Sequence, residues 1–324
     1  MSSAALRGRL RSLWASLTDP RMDQCLESEN VVPSKFLTDN NITLTFHDFQ
    51  FSNTPEGNLN TKPPLLFLLR TRNIITEHPI DFNDEFFTIA KDEGFPEEDP
   101  SPATQVPKIF IHEPMPFYPG SSLALYIENW AMDWYPRRLP SGYPNLATLC
   151  GIHCVAYGAS LNILWETCIY EYSDKRPDGR PLLPHLILLG VQSCKGIANT
   201  ISLGELTPIV TAMRCRAHQP AVFDEDAVLV GDVIQSEDGN PEPDREDKLA
   251  FKGEKRFPVV MVSLVGPQHV RVIYACMDGM RLSIRMSACH IIQPTDEGVI
   301  HNIAGVRLSE PLVESTEQDQ EGHG

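Results

Sequence analysis

The sequence predicts an α+β chain: a mixed or antiparallel sheet ends in a C-terminal three-stranded meander and is packed by a few helices. Three observations carry this. Residues 257–286 (FPVVMVSLVGPQHVRVIYACMDGMRLSIRM) alternate apolar and polar side chains between turn signals. Short apolar runs of strand length recur between residues 42 and 234. Residues 145–170 and 203–216 have helical length and apolar content.

The meander is the firmest element. Met280, Leu282, Ile284 and Met286 alternate with Arg281, Ser283 and Arg285, and a period of two sends each set to one face of a strand. Asp278-Gly279 precedes this strand, and Asp-Gly is a strong two-residue hairpin signal. With that pair as the turn, Met277 opposes Met280, Ala275 opposes Leu282 and Ile273 opposes Ile284, forming one apolar side. Gly266-Pro267-Gln268 marks a second turn. Residues 259–265 are apolar at nearly every position, as in a strand covered on both faces.

Upstream, Ile42, Leu44 and Phe46 alternate as a strand, with Phe49 and Phe51 continuing past a bend at His47-Asp48. Residues 65–70, 108–112, 123–129, 185–193 and 227–234 read as strands, and residues 84–91 as a short helix. Trp130 and Trp134 share a helical face by their spacing of four. In the 203–216 helix Pro208 is expected in the first turn, where its missing N–H does no harm. Residues 92–107 and 235–255 are acidic or charged connectors, and 309–324 is an acidic tail of disordered composition. The body is thus expected to span residues 21–308 behind an N-terminal helix within residues 1–20.

That helix carries Leu6, Leu10, Leu13, Trp14 and Leu17 on one face. Arg7, Arg9 and Arg11 with no acid before Asp19 also fit a mitochondrial transit peptide. The plainer reading is an amphipathic helix docked on a cytoplasmic or nuclear protein. No secretory segment is expected from its first residues, and no apolar run is long enough to span a membrane. Its eight Cys read as reduced thiols. A formal charge of −16 in 324 residues opposes binding to nucleic acid or anionic lipid.

Four constellations could carry chemistry. Cys150, His153 and Cys154 are metal-capable, but their spacing is that of no common zinc finger, so buried thiols are the alternative. Gly158-Ala-Ser160-Leu-Asn162 lacks the second Gly of a hydrolase elbow, which leaves Ser160 an ordinary helical serine. Tyr274, Arg281 and Arg285 share a strand face and could bind an anion or pair with acidic loops. Glu166, Glu171, Asp178, Gln192 and Lys195 follow the order of acid, acid and strand-end Lys that resembles PD-(D/E)XK nucleases. The resemblance implies Mg²⁺ held by carboxylates, with Lys stabilising developing charge. Here Gln192-Ser-Cys194-Lys195 sets the Lys one position late.

The block 257–286, with its Gly266-Pro267-Gln268-His269 turn, resembles uncharacterised proteins of filamentous fungi. It implies a fungal origin and brings no activity with it. The functional expectation is a soluble, non-catalytic protein-interaction domain that needs no cofactor. The alternative is a divalent-metal nuclease or phosphodiesterase, degenerate or active, with Mg or Zn.

Overall fold

The computed structural model describes residues 2–27, 30–49, 58–69, 79–81, 123, 124, 126, 127, 146–148, 155–160, 163–174, 176, 181–221, 248–266, 269–292 and 297–313. In chain order the elements are α1 (Ser3–Leu17), α2 (Met22–Cys25), α3 (Ser34–Asp39), β1 (Ile42–Phe46), β2 (Phe67–Leu68), β3 (Leu146–Thr148), β4 (Val155–Ser160), β5 (Ile163–Tyr172), β6 (Leu186–Gln192), α4 (Leu203–Ala217), β7 (Val259–Val265), β8 (His269–Asp278), β9 (Arg281–Met286), β10 (His290–Ile291), α5 (Glu297–Arg307) and β11 (Glu310–Pro311). A nine-stranded mixed sheet runs in the order β1-β9-β8-β7-β6-β5-β3, with β4 also on β5 and β10 on β8. Its parallel contacts are β1 with β9 and β6 with β7, and the others are antiparallel. The α+β class stands.

The parallel pair β6 and β7 is joined through α4, as a crossover requires. Both strands are apolar along almost their whole length because helices or loops cover both faces. On one face Leu186, Leu188, Val259, Met261, Ile273, Ala275, Leu282 and Ile284 pack with α1 and α4. On the other face Ile187, Leu189, Val260, Val262, Val270 and Tyr274 pack with α5 and the 65–69 segment.

The N-terminal helix is part of this core. Leu6, Leu10 and Leu13 are fully buried and Leu17 nearly so, repeating at the three- and four-residue spacing of one helix face. Ser2 caps the helix by accepting the Ala5 N–H at 3.2 Å.

The 145–170 stretch is strand, not helix. β4 and β5 form an antiparallel pair with Ser160 opposite Ile163, and β3 pairs with the far end of β5. Ile163, Trp165, Thr167, Ile169, Tyr170 and Tyr172 are β-branched or aromatic, residues that fit a pleated sheet better than a helix. Ser160 therefore ends a strand. Residues 123, 124, 126 and 127, expected as strand, are helical. The 65–70 strand shrinks to Phe67–Leu68. Pro208 lies in the second turn of α4, the sixth helical residue, instead of the first.

The meander forms with a different turn. Asp278 pairs with Arg281, so Gly279 and Met280 are the turn residues, and Met277 opposes Leu282, Ala275 opposes Ile284 and Ile273 opposes Met286. Gly279 has φ +64° and Met280 is not left-handed, a pattern that asks for Gly at the first turn position only. The register moves by two residues, and an even shift keeps every side chain on its expected face.

The charged connector ends sooner than expected. Leu249 bridges to Pro220, and Ala250 and Phe251 are buried in the core at 4% and 5% exposure. The tail also begins later, since β11 pairs with β2 and Leu312 N–H donates to Leu66 O at 2.9 Å. The expected segments 84–91, 92–107, 108–112 and 227–234, and Trp130 and Trp134, lie outside the described residues.

Because α1 seats four leucines in the main core, Leu10→Ala should destabilise the full chain by about 2–5 kcal/mol. Urea denaturation of the variant measures this, and an unchanged midpoint would mean that α1 is not docked.

Candidate functional site

The polar centre of the molecule lies where α4 begins, over the ends of β6 and β7. Ser202-Leu-Gly-Glu205 opens the helix, and the Glu205 carboxylate reaches back to accept the Ser202 N–H at 3.0 Å. Gly204 permits the approach: a Cβ there would meet Gln192 Oε1 at 2.8 Å and Trp165 at 3.0 Å. Glu205 and Arg271 are 0% and 1% exposed. Arg271 Nε donates to Glu205 Oε1 at 2.6 Å, and its Nη2 donates to Oε2. Ser263 Oγ donates to Oε1 at 2.8 Å and itself accepts Gln192 Nε2 at 3.0 Å. Gln192 Oε1 accepts Ser202 Oγ at 2.6 Å and the Cys194 thiol at 3.4 Å. The remaining guanidinium nitrogen of Arg271 donates to the carbonyls of Ile197 and Thr200 at 3.2 and 3.0 Å.

This network is saturated. A carboxylate offers about four lone-pair directions, and Glu205 already receives Arg271 twice, Ser263 and the Ser202 N–H. Burial pushes its pKa up, but the charge of Arg271 and the four donors more than offset this and hold it below the ordinary value. Arg271 and these donors hold it as an anion, and they occupy its acceptor directions.

The sheet does not bring the nuclease-like residues together. Gln192 lies opposite Trp165, and Glu166 lies opposite Val191, so Glu166 and Gln192 face opposite sides. Glu171 lies opposite Leu186, six residues from Gln192, or about 20 Å along the strand at the usual rise. Its carboxylate is engaged by the buried Arg216, which also donates to Gln219 Oε1 at 2.6 Å and to Leu183 O and stacks on Phe251 at 4.6 Å. Lys195 is exposed beyond the end of β6. Asp178, Cys150, His153 and Cys154 lie outside the described residues. Among the described residues no three His, Cys, Asp or Glu gather as a metal-holding group.

Tyr274, Arg281 and Arg285 do not form an exposed basic patch. Tyr274 is 1% exposed, donates to Pro64 O at 2.8 Å and accepts the Leu66 N–H at 3.3 Å. Arg285, 6% exposed, donates to Thr61 Oγ1 at 3.1 Å and to Pro63 O. Arg281 pairs with Asp278 across the hairpin end. The first two fasten the 58–69 segment to the sheet.

The pairing of Glu205 with Arg271 was not foreseen from the sequence. Two signals pointed to them: a Ser-x-x-Glu before an apolar run, and an arginine inside an apolar strand, which must meet a partner if the strand is buried.

Two histidines are also held neutral. Burial lowers His185 to about 3, although its Nε2 faces Leu312 O at 3.1 Å. Burial, and then the charges of Arg11, Arg214 and Arg7, lower His218 to about 4.

No family model matches the chain, and neither curated proteins nor solved structures offer a match.

Removing the Glu205 charge strands Arg271 in the core. Glu205→Gln should therefore cost about 3–5 kcal/mol, and Glu205→Leu with Arg271→Met should cost less than the two single changes added together. Urea denaturation of the double-mutant cycle checks both. Unfolded histidine binds a proton below about pH 6.5, whereas folded His185 and His218 do not, so the unfolded state takes up more protons as pH falls. Stability should be full above that pH and decline toward pH 4 by about 1.4 kcal/mol per unit for each histidine. Urea midpoints from pH 7 to 4.5 should show the decline, with a shallower slope in His185→Phe.

Proposed function

We propose that this chain is a non-catalytic protein-interaction domain that works in the cytoplasm or nucleus and receives an extended segment of another protein along the outer edge of β1. The observation that supports this is the character of that edge. β1 ends the sheet, and among the described residues no strand pairs with its far side. Leu282 N–H donates to Asn41 O, and His47 N–H donates to Met286 O. In a parallel ladder this leaves the odd residues bonded to β9 and turns the N–H and C=O of Ile42, Leu44 and Phe46 outward. The strand reads ITLTF, with none of the Lys, Pro or inward charge that usually blunts a free edge. It ends in Phe46, 63% exposed. An added strand would gain main-chain bonds and place a side chain against this ring.

The saturated Glu205 site and the separation of Glu166, Glu171 and Gln192 support the non-catalytic half of the reading over the phosphodiesterase alternative. No described helix is long and apolar enough to cross a membrane.

Phe46→Pro removes an outward N–H, which an edge strand tolerates, and otherwise changes only an exposed side chain. Phe46→Lys adds the charge that blunts an edge. Proteins retained by the immobilised wild-type chain should be lost about tenfold by both variants, with the melting temperature little changed. Undiminished retention would reject the β1 site. A several-degree rise in melting temperature with Mg²⁺, Mn²⁺ or Zn²⁺, together with hydrolysis of a phosphodiester, would instead favour the enzyme.

A further inference from the structure

We infer, resting on the reading of β1 as a pairing edge, that in the free protein this edge is closed by β1 of a second copy, antiparallel about a two-fold axis at Leu44. The strand reads Ile-Thr-Leu-Thr-Phe, which is complementary to itself when reversed about its middle residue. Ile42 then opposes Phe46 of the second copy, Thr43 opposes its Thr45, and Leu44 opposes its Leu44. The groups that must meet are the ones turned outward. The odd residues are bonded to β9, as Leu282 N–H to Asn41 O and His47 N–H to Met286 O show. The N–H and C=O of Ile42, Leu44 and Phe46 are left on the free side. About this axis each of those three residues faces one of the same three, and opposed residues exchange both main-chain bonds. Moving the axis to Thr43 leaves Phe46 outside the pairing, and moving it to Thr45 leaves Ile42 outside.

The side chains favour the same axis. Ile42, Leu44 and Phe46 share a face with their β9 neighbours Leu282, Ile284 and Met286. Pairing places an aromatic ring against a β-branched residue at both ends of that face, with leucine on leucine between them. On the other face threonine meets threonine. Both are favourable cross-strand pairs of antiparallel sheets. Phe46, 63% exposed in the single chain, gains a cover. The strand holds no charge that pairing would bury. Its ends match in charge: Arg9 donates to Asn40 O at the start, and the exposed Asp48 follows the finish. Antiparallel order carries Asp48 of each copy to the Arg9 end of the other. The formal charge of −16 repels the two chains, but salt at about 150 mM screens this beyond about 8 Å. A strand of five residues covers less than a stable interface needs, so the dimer is weak, and an extended segment of a partner can displace the copy.

Sedimentation equilibrium of the full-length chain, from about 1 to about 200 µM, tests this. The weight-average mass should rise from that of one chain toward that of two. Phe46→Lys should weaken the association at least about tenfold, with circular dichroism and melting temperature at the lowest concentration unchanged. The register has its own readout. Thr43 and Thr45 of opposite copies form a non-hydrogen-bonded pair with Cα atoms about 4.5 Å apart, within reach of a disulfide. Thr43→Cys and Thr45→Cys chains, mixed and oxidised, should therefore cross-link, with the bond located by mass spectrometry. Either variant alone offers only diagonal neighbours about 7–8 Å apart, beyond that reach, and should give at most about a fifth as much of the bond.

Four results would overturn the inference: the mass of a single chain throughout, a mass rising past two chains, a dimer undiminished by Phe46→Lys, or equal cross-linking in the mixture and in either variant alone. None of these measurements contains a partner protein. A single-chain mass with retention still lost in the Phe46 variants would reject the dimer and leave the β1 reading standing. Retention unchanged in variants that no longer dimerise would do the reverse.

Discussion

The ion pair between Glu205 and Arg271 holds together the parts of this fold that chain connectivity alone leaves loose. β6 and β7 run parallel, so the chain must leave the sheet after Gln192, cross above it and return at Val259. Such a crossover is fixed only when its helix has a defined height and rotation over the strands. Glu205 sets both. It closes the first turn of α4 through Ser202, and it reaches the sheet through Ser263 on β7 and Arg271 on β8. Arg271 in turn holds the carbonyls of Ile197 and Thr200 in the loop that leads into the helix. Helix cap, loop and two strands therefore share one carboxylate. Apolar packing could slide by a side chain at modest cost, whereas a misplaced Glu205 would leave two charges buried without partners.

With α4 fixed, α1 follows on the same face. α1 buries Leu6, Leu10, Leu13 and Leu17 in the core that α4 helps to form, and Arg214 on α4 stacks over Trp14 on α1. The opposite face is assembled from less regular pieces. Arg285 and Tyr274 hold the 61–66 turn, Tyr172 OH donates to Ser309 O at 2.6 Å, and Arg307 stacks on Tyr170 at 3.7 Å. Polar groups rooted in the sheet thus reach out to loops, where regular secondary structure is lacking to satisfy their backbones.

Much of this architecture was legible in the sequence where a strong period and a turn signal coincided. β8, β9 and β7 announced themselves by alternation and by glycine turns, and β6 by its apolar run. The hairpin turn was misplaced by one residue because Asp278-Gly279 and Gly279-Met280 both contain the needed glycine. The pairing of Asp278 with Arg281 chose between them by joining opposite charges across the end of the ladder. The 145–170 stretch was misread because its length and apolar content suit a helix, while its β-branched and aromatic content does not. Local composition had to be weighed against the partner strand β6, which sequence separation hides. The candidate site was less legible still. Glu166, Glu171 and Gln192 are close in sequence order, but strand alternation and the antiparallel return send them to different faces and opposite ends.

The same geometry bears on function. A site that processes a substrate needs ionisable groups with unsatisfied valences in reach of solvent. In this protein the groups best placed for that, at the C-terminal ends of the parallel strands, have been turned inward and bonded to one another. Glu205 has four donors, Gln192 is engaged at both ends of its amide, and a methylated residue 204 would strike it. What the described residues leave exposed is of another kind: the outer edge of β1, with its amides and carbonyls turned outward. Under the proposed reading, that edge is the part of the molecule that another chain would cover. The stability of the interior and the incompleteness of the surface are thus two results of the same arrangement, since the charges spent on fixing α4 are no longer free to act at the surface.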